Sequence, residues 1–63
     1  MVSFRANSPK QLDLCLRMLY AEGMNFVVVI TETNKGRIVY DVQTSADGDR
    51  KIMLEERYRI LIS

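Results

Sequence analysis

Residues 8–23, SPKQLDLCLRMLYAEG, hold a helix start, an apolar stripe and a helix stop in one unbroken run. Ser8 and Gln11 have the S-x-x-Q spacing of a capping box, in which each side chain satisfies an amide at the helix start, and Pro9 stands where no amide donor is needed. Gly23 can adopt the left-handed backbone that closes a helix. At about 100° per residue, Leu12, Cys15, Leu16 and Leu19 share one face, which should lie on a sheet. Leu14, Met18 and Ala21 fall nearly opposite. One sheet needs only one stripe, so this second patch calls for another partner.

The flanking segments read as strands. Residues 2–6 alternate, with Val2 and Phe4 on one side and Ser3 and Arg5 on the other. Residues 25–33 (NFVVVITET) are β-branched and apolar on both faces, whereas residues 37–44 (RIVYDVQT) alternate. Between them, Asn34-Lys35-Gly36 fits a three-residue hairpin loop with glycine in the left-handed position. That loop sets Ile30 opposite Tyr40 and Val28 opposite Val42. Phe26, Val28, Ile30, Ile38, Tyr40 and Val42 then share the helix side, and Val27, Val29, Thr31, Arg37, Val39 and Asp41 the other. Residues 44–49 (TSADGD) are turn formers, residues 50–56 suggest a short helical turn, and residues 58–62 (YRILI) alternate as a final strand.

These elements predict a single small α+β domain over residues 1–63: an antiparallel β-sheet with one long helix on one face, reduced ferredoxin-like, in the order β-α-β-β-short turn-β. A meander in which residues 50–54 pair back onto the third strand is the alternative.

A chain of 63 residues buries little core, and such a core rarely supplies more than roughly 3–5 kcal/mol of net stability. One cysteine and no histidine exclude an internal disulfide and make a zinc site implausible, which leaves oligomerisation as the common route to extra stability. A formal net charge of +1 gives no bulk attraction to nucleic acid or anionic membranes. No apolar run reaches the length of a signal-peptide core or a membrane span, and a lone helical cysteine fits a reducing compartment, so a cytoplasmic location is expected.

The residues show no catalytic set, and an enzyme is not expected. Cys15 is the sole candidate nucleophile, has no histidine to act as its base, and lies on the core stripe. Asp47-Gly48-Asp49 lacks the ligand spacing of a calcium loop and reads as a turn. No cofactor or metal is expected. Two surfaces remain. The first is an interaction surface drawn from Leu14, Met18, Val27, Val29, Val39 and Leu61, which fits a self-associating module, a homodimer or higher, or a contact with another protein. It would suit a small regulatory or inhibitory accessory protein. The second is an arginine rim of Arg5, Arg37, Arg57 and Arg59 around the open sheet face, which would suit a small anionic ligand or a nucleic-acid backbone. Phe4, Phe26, Tyr40 and Tyr58 all fall under the helix in this reading, leaving no stacking platform on the open face and weighing against nucleic acid.

Overall fold

The computed structural model describes residues 1–63, and its first helix is fixed by the local signals just named. Strand β1 (Val2–Ala6) leads into helix α1 (Pro9–Ala21). Ser8 Oγ accepts from the Gln11 amide at 3.2 Å, and Gln11 Oε1 accepts from the amide of Asn7 at 2.9 Å, one residue before the expected Ser8. At the far end Gly23 has φ of +68°, the Met24 amide donates to the Leu19 carbonyl, and the Gly23 amide donates to that of Tyr20. Those two bonds form a Schellman closure, which satisfies carbonyls that the last helical turn leaves open.

Strands β2 (Val27–Glu32) and β3 (Ile38–Thr44) form the expected hairpin. Gly36 has φ of +77°, its amide donates to the Thr33 carbonyl, and the Thr33 amide donates to that of Arg37. The register follows: Ile30 faces Tyr40 and Val28 faces Val42. β1 pairs antiparallel with the other side of β3, Phe4 opposite Val42, so the sheet order is β1-β3-β2 and α1 is the crossover between two parallel edge strands.

The last quarter of the chain departs from expectation. Residues 48–62 form one continuous helix, α2 (Gly48–Ile62), in place of a short helical turn and a final strand; no segment pairs back as a meander, and α1 is not the only long helix. Alternation over YRILI fits either period, because Tyr58 and Ile62 are also four residues apart. Leu54, Tyr58 and Ile62 make a stripe that packs on the core, while Ile60 and Leu61 point to solvent. Asp49 in the first turn and Arg59 in the last complement the helix dipole.

Both helices lie on the same face of the sheet. Val2, Phe4 and Val42 from that face are buried with Cys15, Met18 and Leu19 of α1 and Leu54 and Tyr58 of α2. The Phe4 and Tyr58 rings meet edge to face with centroids 5.2 Å apart. α1 and α2 also touch directly, with an Arg57–Glu22 ion pair across their contact. The architecture is therefore α+β, a three-stranded antiparallel sheet backed by two helices.

Candidate interaction surface

α2 removes one of the two surfaces that the sequence leaves open. Met18, expected to face a partner, is buried in the cluster that holds Leu54 and Tyr58, and Leu14 is half-buried. Of the second stripe of α1, Met18 is thus met by a helix of the same chain, while Ala21 stays exposed. Leu61 sits on the outer side of α2, away from the valines it was grouped with, and joins Met53, Arg57 and Ile60 in a shallow apolar depression.

The open sheet face is bare in part. Val39, on the central strand, is only 8% exposed, against expectation. Val27 and Val29, on the edge strand, are 61% and 42% exposed. Ile30 lies on the helix side, yet is 65% exposed. The hairpin runs on past Tyr40, the last residue that β1 reaches, so Ile38 and Val39 have no β1 beside them. Ile38 is exposed at the same end, and Phe26 beside the start of β2. Phase alone puts Ile30, Ile38 and Phe26 on the covered side, and phase does not carry how far along each strand the cover extends.

The direction of the backbone groups on each edge follows from the hydrogen bonds at the turn. In an antiparallel ladder, residues alternate between pointing both backbone groups at the partner strand and pointing both away. Thr33 donates to Arg37, so Thr33, Thr31, Val29 and Val27 direct their amides and carbonyls toward β3. Val28, Ile30 and Glu32 direct theirs outward, along a free edge. On the opposite side of the sheet the same alternation sends the backbone groups of Ser3 and Arg5 outward from β1. There the Arg5 carbonyl accepts from the Tyr58 hydroxyl at 2.8 Å.

The four arginines do not share one face. Arg5 is on the open side of β1, with Nε 3.8 Å from Asp41, and Arg37 stands at the hairpin turn. Arg57 and Arg59 lie on α2, paired with Glu22 and Glu56. Cys15 is buried, and burial pushes its thiol up to about 11, away from the reactive thiolate. Burial raises the Tyr58 hydroxyl too, with the nearby Cys15 adding to it. Asp47 accepts from the Met1 amine at 2.9 Å, which holds its carboxyl below the usual carboxylate range. No three His, Cys, Asp or Glu side chains converge in a metal-binding group, and no helix is long and apolar enough to cross a membrane. No protein-family model, curated protein or solved structure matches this chain.

Proposed function

We propose that this protein is a non-enzymatic interaction module that self-associates, most simply as a homodimer, in the manner of a small regulatory or inhibitory accessory protein. The observation that carries the reading is strand β2: it is apolar on both faces, and Val27, Val29 and Ile30 stand in solvent although their own chain supplies two helices. Isolated apolar side chains on a surface are ordinary, but a run of them on one sheet edge marks a contact site. A small core gains stability when that run is covered. The order β1-β3-β2 with a helical crossover is read as a ferredoxin-like sheet in which α2 flanks the place beside β1 where a fourth strand would lie. The one buried thiol suits a reducing, cytoplasmic setting.

Sedimentation equilibrium from about 1 to about 100 µM brackets the micromolar dissociation constants typical of modest interfaces. The average mass should rise from one to two protomers over that range. A single monomeric species throughout would remove the proposal.

A further inference from the structure

We infer that the two copies join by antiparallel pairing of β2 with β2 of the second copy, about a two-fold axis at Val29, to make one six-stranded sheet. This rests on the self-association proposed above and specifies its geometry.

The bare edge is β2, since the Arg5 carbonyl on β1 is already taken by Tyr58. Its outward groups belong to Val28, Ile30 and Glu32, as fixed by the Thr33–Arg37 bond and the ladder register. Two copies can therefore exchange hydrogen bonds only in registers that set these residues against one another. In the register centred on Val29, Val28 of each copy bonds with Ile30 of the other. Val29 then faces its own equivalent in a pair without direct hydrogen bonds, and Val27 faces Thr31. Every matched pair within Val27–Thr31 is β-branched, and apolar surface meets apolar surface on both sides of the new sheet.

Charge separates this arrangement from its rivals. Glu32 is the only ionisable residue in β2. Antiparallel pairing about Val29 leaves the two Glu32 carboxylates at opposite ends of the ribbon, whereas parallel pairing sets them side by side. Centring on Ile30 instead would place each Glu32 against Val28 within the strand, whereas centring on Val29 sets it against Phe26 just outside the strand; centring on Val28 would draw Asn25 as well as Phe26 into the pairing. The two-fold arrangement also consumes the free edge of both copies, so the assembly closes as a dimer and does not grow into a fibre.

The test combines disulfide trapping with sedimentation. In a pair without direct hydrogen bonds the two Cα atoms stand about 4.5 Å apart, within disulfide reach. Val29→Cys should therefore oxidise to a covalent dimer. Thr31→Cys should not, its equivalents being roughly 13 Å apart along the ribbon, and neither should the parent chain, whose Cys15 is buried. Ile30→Pro removes an outward amide that the β2–β3 ladder does not use, so circular dichroism should stay that of the parent while the dimer dissociation constant rises roughly tenfold or more. Ile30→Lys, which leaves the backbone intact, should weaken the dimer in the same direction. A parent dimer that survives Ile30→Lys and is not trapped by Val29→Cys overturns this geometry alone, and points to the Met53, Ile60 and Leu61 surface of α2. Equal trapping of Val29→Cys and Thr31→Cys overturns the register. A parent that is monomeric at every concentration, with no trapping, overturns both the geometry and the self-association beneath it.

Discussion

At one margin of the sheet, the outward carbonyl of Arg5 is occupied by the Tyr58 hydroxyl, and the Asn7 amide just beyond β1 is held by Gln11. At the other margin, Val28 and Ile30 turn their backbone groups toward solvent, flanked by exposed Val27 and Val29. Composition separates them too: β1 alternates, with Ser3 and Arg5 on its open side, whereas β2 is apolar on both faces. A helix of the same chain shields β1, and β2 has no such neighbour. An edge strand is managed both by polar residues and by a covering helix, and this protein manages only one of its two edges.

The comparison breaks most readily at Tyr58. Replacing Tyr58 by Ala deletes the ring that packs on Phe4 together with the bond to Arg5, at a cost of about 3–5 kcal/mol. That matches the net stability that a core of this size supplies. The variant should show no cooperative urea transition by circular dichroism at 25 °C, and a retained transition near that of the parent would mean α2 contributes little to shielding β1.

Alkaline pH attacks the same shielded half. The Cys15 thiol is raised from 9.0 to about 11 by burial, so folding resists its ionisation. The associated stability is fully present below pH 9 and is lost as pH rises toward 11. The melting temperature should fall across that window, and the fall should be shallower in Cys15→Ala, whatever the starting stability of that variant. Equal slopes in the two proteins would assign the alkaline loss elsewhere.

Tyr58→Phe makes the finest cut. It keeps the ring against Phe4 and deletes only the hydroxyl, leaving the Arg5 carbonyl without its protein partner for about 1 kcal/mol, or a lowering of the melting temperature of about 4–8 °C. An unchanged melting temperature would show that water serves the Arg5 carbonyl equally well.

Sequence signals were sufficient where they were local. Ser8, Pro9, Gln11 and Gly23 bound α1 within a residue or two, and Asn34-Lys35-Gly36 set the hairpin register because turn chemistry and apolar phase required the same pairing. α2 was illegible because its stripe is sparse: Leu54, Tyr58 and Ile62 carry the contact, and Ile52, Met53, Ile60 and Leu61 blur it from the exposed side. Losing α2 cost more than one element. It left Met18 without its cover, put Leu61 on the sheet, and set Arg57 and Arg59 beside Arg5. Val27 and Val29 were read as exposed and are exposed, while Val39 was not distinguished from them because how far a strand residue is covered is a tertiary property. The exposure of Ile30, on the helix side of the edge strand β2, was hidden for the same reason.

The two ladders also differ in when they can close. β2 and β3 are joined by a three-residue loop, and such hairpins zip in about 1–10 µs, whereas β1 meets β3 only after the intervening helix and hairpin have been brought round. The unguarded valines are thus on display from the earliest moments of folding, before Tyr58 or Phe4 has found its place. Neighbouring chains emerging at high density would meet one another through this strand first, so the residues proposed to join finished protomers also govern how cleanly each chain matures.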